Sequence, residues 1–308
     1  MSDAVAAPAQ ASAVPGPSGW PVLGSLPAFY RDPLGFVREV SAAPGDIHRI
    51  SIVGLPHYQL SNPEHIRYVL QNYKLFRKGD IGRERRRLFG KGLATAEGDF
   101  WLRQRHLSQP AFSRERLQTY GQTMAAIGGR RIPAWPTGTP LDIHGLLMRL
   151  ALENIAKVLF NANVDQEAEQ VGHSLEYAMR FFGSQASFIY HLLPKWFMTP
   201  GRRRFHREVD ELDRVIGGIV AARRASGEDA GDLLSMLISA RDESDGAMDD
   251  QQLRDELMTL FLAGHETTAL ALSWSVGLLV RHPAIADALA ADIDKLLGGR
   301  DPTVDDLP

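Results

Sequence analysis

The feature that most constrains this chain is a long, largely apolar stretch from Leu253 to Val280. It contains no proline, and Arg281-His282-Pro283 closes it. It therefore predicts a single helix roughly 40 Å long, given the rise per residue of an α-helix. A helix of that length crosses a whole domain, so the rest of the fold is expected to be built around it. At its centre, Gly264, a histidine, a carboxylate and two threonines stand side by side, which is unusual for a core helix.

Helical spacing places a row of small residues along one side of this helix. The row consists of Leu260, Ala263, Gly264, Thr267, Thr268 and Ala271. Every member after Leu260 is small, so a flat and bulky ligand could lie against the backbone there. The Thr267 hydroxyl can also donate to the Ala263 carbonyl, which competes with the helical hydrogen bonds and can open the helix locally. The sequence thus predicts a helix shaped around a ligand.

Three other interpretations of this helix compete. A membrane span has the right length, but His265 and Glu266 at its centre would be costly in lipid, and no second span accompanies it. A plain core helix explains the apolar residues, although glycine and threonine are poor helix formers and a buried glutamate needs a partner. A zinc-protease motif begins at His265-Glu266, but Ala269 stands where the second histidine ligand is required, so that interpretation fails.

Composition limits the class of protein. The 308 residues are 44% hydrophobic and 23% charged, which is typical of a globular chain with one large domain or two small ones. The net charge of −3 gives no reason to expect a nucleic-acid partner. With no recognisable signal peptide or membrane anchor, we expect a cytoplasmic protein. The chain has no cysteine, which excludes disulfides and thiol catalysis within it.

The remaining pattern predicts a mainly α protein with a small β-sheet, in the α+β class. Residues 1–18 are rich in Ala, Pro and Ser and predict a disordered lead-in. Ile47 to Val53 and His57 to Leu60 predict a hairpin. Further helices are predicted from capping residues, proline positions and apolar spacing. Their starts are Asp32, Asn62, Asp99, Ser113, His144, Arg202, Asp232 and His282.

Two charged segments receive separate interpretations. The run Arg83 to Arg87 is interpreted as a solvated turn or helix. Trp101 and Arg105 lie one turn apart on a predicted helix, and an arginine beside an aromatic ring is suited to binding a carboxylate. A tryptophan packed on an arginine stem is the plainer alternative. Gln104 and His106 are expected at the surface.

Two motifs together resemble the cytochrome P450 family. Ala263-Gly264-x-Glu266-Thr267-Thr268 resembles the family's oxygen-binding helix, and Trp101-x-x-x-Arg105 followed by Pro110-Ala111-Phe112 resembles its haem-propionate segment. The likeness extends from about Trp20 to the last residue. It implies a P450 fold in which residues 19–308 form the N-terminal part of a single domain. The family's Glu-x-x-Arg helix and its cysteine ligand would follow, so the resemblance implies truncation.

The resemblance also implies a function for the intact protein. That function is a haem-thiolate monooxygenase inserting one oxygen atom of O2 into a small organic substrate. Electrons would come from NAD(P)H through a ferredoxin- or flavodoxin-type donor. The alternative is a non-catalytic helical binding or scaffold protein derived from the same fold.

By resemblance, the family's roles fall on a small set of positions. The catalytic positions are Glu266 and Thr267, the haem-binding positions are Trp101, Arg105, Ala263 and Gly264, and the substrate-binding position is Ala94. Thr267 would steady the bound oxygen by a hydrogen bond, and Glu266 would relay protons. Ala94, aligned by Leu93-x-Thr95, leaves room for a bulky substrate. No residue of this chain is predicted to ligate a metal.

Overall fold

The computed structural model describes residues 14–78, 83–161, 167–183, 197–242 and 246–306. It is mainly helical with one two-stranded sheet, which confirms the predicted class. The chain divides into two compact units, Met1–Arg77 and Lys78–Pro308. Residues 1–13 of the predicted lead-in lie outside the described part. The backbone N–H of Arg49 donates to the carbonyl of Pro15 at 2.7 Å, so ordered contacts begin within the remainder of that lead-in.

The first unit is a helical segment with an antiparallel hairpin. Its elements are α1 (Leu26–Arg31), α2 (Pro33–Ala42), β1 (Ile47–Ile52), β2 (Leu55–Leu60) and α3 (Pro63–Gln71). The register of the hairpin pairs Ile47 with Leu60. Asp32 accepts a hydrogen bond from the Gly35 N–H, and Asn62 accepts one from the Glu64 N–H. These caps start α2 and α3 where the sequence predicts them.

The second unit contains helices joined by loops and has no strand among its described residues. Its helices are α4 (Arg83–Phe89), α5 (Gly98–Ser108), α6 (Arg114–Arg131), α7 (Ile143–Phe160), α8 (Glu167–Gly183), α9 (Pro200–Ser226), α10 (Leu233–Ser239), α11 (Asp250–Arg281) and α12 (Pro283–Leu297). Short 3-10 turns lie at Gln109–Phe112, Ile132–Ala134 and Val304–Asp306. The main core forms where the first half of α11 packs with α7, α8, α9 and α10.

The central helix α11 has 32 residues and is about 48 Å long. It starts three residues before the predicted Leu253 because a capping box closes its first turn. Asp249 Oδ1 accepts from the Gln252 N–H at 2.7 Å, and Gln252 Oε1 accepts from the Asp249 N–H at 3.3 Å. No described helix is by itself long and apolar enough to span a membrane, although α11 and α12, which meet at a 114° bend, satisfy that test as a pair.

The start of α5 differs from the prediction. Asp99 was predicted to cap this helix, but α5 begins at Gly98 and Glu97 occupies the N-cap position. The Glu97 carboxylate makes no cap hydrogen bond and instead accepts the backbone N–H of Lys78. The prediction was wrong because a contact with an earlier segment fixes Glu97 ahead of the helix.

The prediction that Arg83 to Arg87 is exposed to solvent is also wrong in part. The segment forms the helix α4, but Glu84 is only 4% exposed and pairs with the buried Arg202 of α9 at 2.8 Å. Arg87 pairs with Asp210 and Asp213 on the same helix. Oppositely charged side chains of α9 thus cover part of α4. The sequence pattern within α4 cannot predict these partners, because they lie more than a hundred residues further along the chain.

Candidate functional site

The middle of α11 presents small residues on a side that the other described residues leave open. Ala263, Thr267 and Thr268 are exposed, and Glu266 is half-buried. The Thr267 hydroxyl donates to the Ala263 carbonyl, as predicted. The helix nevertheless continues unbroken, so the predicted local opening was wrong. A carbonyl oxygen has two lone pairs and can accept the hydroxyl together with the helical N–H.

The opposite side of α11 is fixed to α7 by His265. Its ring is buried, and Nε2 donates to the Met148 carbonyl at 3.1 Å. The ring also stacks on Phe261, with centroids 6.3 Å apart. Burial lowers the pKa of His265, and the hydrogen bond to Met148 opposes this only in part. The imidazole is therefore neutral and serves to anchor the helix.

Gly264 lies between these two sides and faces α7. A Cβ built at this position would come within 2.6 Å of Ile155 Cδ1. The missing side chain thus allows α11 and α7 to approach closely. This contact gives Gly264 a packing role whatever lies on the open face, and its assignment to haem stays a prediction.

Trp101 and Arg105 of α5 form the stacked pair that their spacing predicts. The Arg105 guanidinium lies 5.3 Å from the centre of the Trp101 ring, and the Lys78 ammonium lies 5.8 Å from it. Arg105 is exposed, and no carboxylate among the described residues forms an ion pair with it. The stack therefore presents a guanidinium whose hydrogen-bond donors are available to an anionic group.

Ala94 is exposed within a short segment that we call the 90–96 loop. This loop is attached to the first half of α11 through its backbone. Asp255 Oδ2 accepts the Lys91 N–H at 2.7 Å, and Glu256 Oε2 accepts the Leu93 N–H at 3.0 Å. The placement of Ala94 therefore depends on two adjacent carboxylates of the central helix.

Two glycines allow the 90–96 loop to approach α11 this closely. A Cβ on Gly90 would come within 2.0 Å of Asp255 Oδ1, and one on Gly92 would come within 2.3 Å of both the Asp255 carbonyl oxygen and Thr259 Oγ1. Gly90 also has a φ of +55°, a left-handed conformation that other residues adopt at a cost. Any larger side chain at either position would push the loop away from the helix.

Glu256 is the most strongly perturbed titratable group in this region. Its side chain is 1% exposed, and burial raises its pKa from 4.5 to about 7. The Leu93 hydrogen bond and the positive charge of Lys78 lower the pKa, whereas the neighbouring Asp255 raises it. Burial also lowers the pKa of Lys78, whose ammonium donates to the carbonyls of Leu93 and Ala96.

The sequence analysis did not predict the burial of three polar residues in this region. Gln104, expected at the surface, is fully buried, with no described partner for either side-chain polar atom; the exposed His106 matches its prediction. Asp255 and Glu256 were not singled out. Two adjacent carboxylates between Leu253 and Leu257 were the available signal, because buried acids in an apolar run need partners.

The comparison with known families decides the identity of this fold. The profile of the family described as Cytochrome P450 matches residues 14–308. The chain belongs to the cytochrome P450 family. Its relatives include the cyclooctat-9-en-7-ol 5-monooxygenase of Streptomyces melanosporofaciens, which is 33% identical over 98% of this chain and 67% of the relative. The pentalenene oxygenase of Streptomyces avermitilis is 34% identical over 95% of this chain and 65% of the relative.

Solved structures agree on the P450 fold. The haem domain of cytochrome P450DA matches with a TM-score of 0.77 and 22% identity, over 95% of this chain and 66% of that one. The chain therefore spans about two thirds of the length of these P450s. It contains no cysteine, so none of its residues can supply the thiolate ligand.

The residues present fit one part of a haem site. The open small-residue face of α11 can lie against a flat ring, and Arg105 on Trp101 offers donors suited to a propionate. Within the described ranges, no three His, Cys, Asp or Glu side chains are grouped as metal ligands. A thiolate ligand for haem could not come from these 308 residues.

Proposed function

We propose that the whole protein containing this chain is a haem-thiolate monooxygenase. It would act in the cytoplasm, with O2 and with electrons from NAD(P)H delivered by a ferredoxin- or flavodoxin-type donor. The observation that carries the proposal is the open face of α11, where Thr267 and Glu266 stand among small residues. That face, together with the Arg105–Trp101 stack, supports an enzyme over a helical scaffold.

Several residues of this chain would bind haem, each at a different part of the group. Arg105, oriented by the Trp101 ring, would bind a propionate. Ala263 would contact the flat face of the ring, and Gly264, by allowing α11 to pack closely against Ile155 of α7, would keep the helix in place. Haem, when bound, supplies the activation of O2.

Thr267 and Glu266 would take part in proton transfer at the open face of α11. The Thr267 hydroxyl directs its hydrogen to the Ala263 carbonyl, so its oxygen lone pairs face outward as acceptors. Glu266 is the adjacent half-buried carboxyl and can exchange a proton with solvent. Glu266 would gain and lose the proton, and Thr267 Oγ1 would accept a hydrogen bond from the group that carries it.

The substrate would be an olefinic hydrocarbon or a simple alcohol derived from one. The names of two relatives specify such compounds, pentalenene and cyclooctat-9-en-7-ol. The methyl side chain of Ala94 leaves space for a bulky skeleton beside α11. A charged substrate is disfavoured because the exposed residues along this face are small or apolar.

Optical spectroscopy on the full-length protein tests the proposal. After reduction and addition of carbon monoxide, the full-length protein should show the Soret band of thiolate-ligated haem, and Arg105→Ala should release haem more readily than His106→Ala. The 308-residue chain alone should not show this band, because it has no cysteine. A full-length protein without the band would overturn the proposal.

Isotope labelling tests the reaction itself. Olefinic hydrocarbons, including pentalenene, would be supplied with isotopically labelled O2, NADPH, ferredoxin and ferredoxin reductase. The expected product carries one labelled oxygen atom. Oxygen derived from water would instead indicate a hydratase and would contradict monooxygenation.

A further inference from the structure

The attachment of the 90–96 loop to α11 is a feature that haem chemistry does not explain. The loop contacts α11 at Asp255, Glu256 and Thr259. Glu256 and Ala263 are seven residues apart, which places them on the same side of the helix and about 10 Å apart. The loop therefore lies over the side of α11 that continues into the open face.

Glu256 is enclosed by this contact. Its carboxylate receives the Leu93 N–H, and the residue is 1% exposed. The charged groups that face it are Asp255 on the same helix and Lys78 ahead of α4, and Lys78 is in turn faced by Glu97. Lys78 does not neutralise Glu256 directly, because its ammonium donates to the carbonyls of Leu93 and Ala96. An ionised Glu256 thus lacks both water and a direct cationic partner.

We propose that Glu256 is a positioning residue whose neutral carboxyl holds the 90–96 loop against α11 and whose ionisation releases that loop. If the loop moves away, water reaches the carboxylate and ionisation becomes favourable. If the loop is attached, the carboxylate is dry and the proton is retained. Proton binding and loop attachment are therefore linked.

The direction of this linkage follows from the pKa. In the attached structure burial raises the pKa of Glu256 from 4.5 to about 7, against the lowering effect of the Leu93 hydrogen bond, so the attached form is most stable below pH 4.5. It weakens as the pH rises towards 7 and levels off above that value. The attached form loses up to roughly tenfold in population per pH unit within this window, relative to the released form.

The consequence for substrate rests on the proposed monooxygenase function. Ala94 follows Leu93 directly, so the Glu256 hydrogen bond fixes the residue predicted to face the substrate. Release of the loop near neutral pH would free Ala94 from its place beside α11, and attachment would hold it there. Because Ala263 and Thr267 are exposed with the loop attached, the loop leaves their approach open. Glu256 would thereby set the shape of the substrate site.

Hydrogen exchange in the full-length protein tests the linkage without any substrate. The probe is the amide of Leu93, followed by mass spectrometry of peptides spanning 90–96, after correction for the intrinsic pH dependence of exchange. In the wild type, protection should fall as the pH rises from about 5 to about 7, by up to roughly tenfold per pH unit. Glu256→Gln, which stays neutral and can still accept the N–H, should be protected equally across this range.

Two further variants test whether the pH dependence of protection arises from Glu256. Lys78→Met removes the positive charge that lowers the Glu256 pKa and also two hydrogen bonds to the loop, so overall protection should fall and the point at which it levels off should move to higher pH. Glu115→Gln makes the same substitution on the exposed start of α6 and should behave like the wild type. A pH dependence that is unchanged in Glu256→Gln, or unmoved in Lys78→Met, would overturn the proposal. The readout needs no catalysis, so it can succeed even if the thiolate-haem band is absent.

Discussion

At the scale of single residues, the buried His265 determines which side of α11 its neighbours in the helix occupy. Successive positions on a helix are turned by about 100°. With His265 bound to the Met148 carbonyl on α7, Ala263 and Thr267 are turned to the open side. The motif of small and polar residues therefore works only in the rotational setting that His265 fixes.

The two threonines of this motif should differ in their effect on the reaction. Under the proposed function, Thr267→Ala in the full-length protein should leave substrate binding nearly intact and divert much of the NADPH to hydrogen peroxide, because the hydroxyl that takes part in proton transfer is lost. Thr268→Ala, turned about 100° further round the helix, should do much less. The measurement is product and peroxide formed per NADPH consumed. The reverse ranking would show that the functional threonine has been misassigned.

The shifted pKa values of Glu256 and His265 should change the stability of the protein with pH in opposite directions. The raised pKa of Glu256 stabilises the fold at low pH, and this contribution, on the order of 3 kcal/mol, is lost as the pH rises from 4.5 to about 7. The lowered pKa of His265 acts in the other direction, because a buried imidazole resists protonation as the pH falls below 6.5.

Two substitutions separate these contributions. Glu256→Gln should make the full-length protein lose stability more steeply on acidification, and His265→Phe should make it lose less. The free energy of unfolding, from denaturant titrations at several pH values, provides the check. Parallel pH profiles for the two variants would contradict the assignment.

At the scale of elements, α4 is tied to α9 by charges rather than by apolar packing alone. Glu84 and Arg202 form a buried pair. Arg202 also donates to the Phe197 carbonyl. Arg87 adds a second link through Asp210 and Asp213. Removing one partner of a buried pair is costly because it leaves the other charge without water or a counterion.

Arg202→Met should therefore destabilise the full-length protein by about 3–5 kcal/mol. Arg180→Met, which breaks the exposed pair with Glu176 on α8, should cost about 1 kcal/mol or less. Glu84→Gln combined with Arg202→Met should cost less than the sum of the single substitutions. Chemical denaturation of the four variants measures this coupling, and strict additivity would show that the two side chains do not interact.

The sequence predicts helices well where the signal is local. The hairpin, the starts of α2 and α3, and α11 follow from caps, turns and apolar spacing. The same reasoning failed for Gln104, Glu84 and Glu256, whose burial depends on other parts of the chain. A helix periodicity identifies an apolar side, but it cannot show which polar residue another element will cover.

At the scale of the whole molecule, the second half of α11 and all of α12 carry apolar side chains that no described residue covers. These exposed residues are Leu270, Leu272, Trp274, Leu278, Val280, Ile285, Leu289, Ile293 and Leu296. A group of exposed apolar side chains of this kind favours association.

The 308-residue chain should therefore bind a hydrophobic dye strongly and scatter light at moderate concentration. Ile293→Lys, which removes a large apolar side chain from α12, should reduce both signals. Ala291→Lys adds the same charge at a neighbouring exposed position and should reduce them less. Equal reductions would indicate that net charge, rather than apolar surface, controls association.

The attachment of the 90–96 loop has a consequence for which residues of this protein can change. Asp255 and Glu256 hold the loop by the main-chain N–H groups of Lys91 and Leu93, which every residue except proline possesses. Ala94 can therefore mutate freely while the loop keeps its place. With Ala94 in its proposed place beside the substrate, a mutagenesis library directed at residue 94 should alter substrate preference at little cost in stability. Gly90 and Gly92 offer no such freedom, since any side chain would collide with the helix.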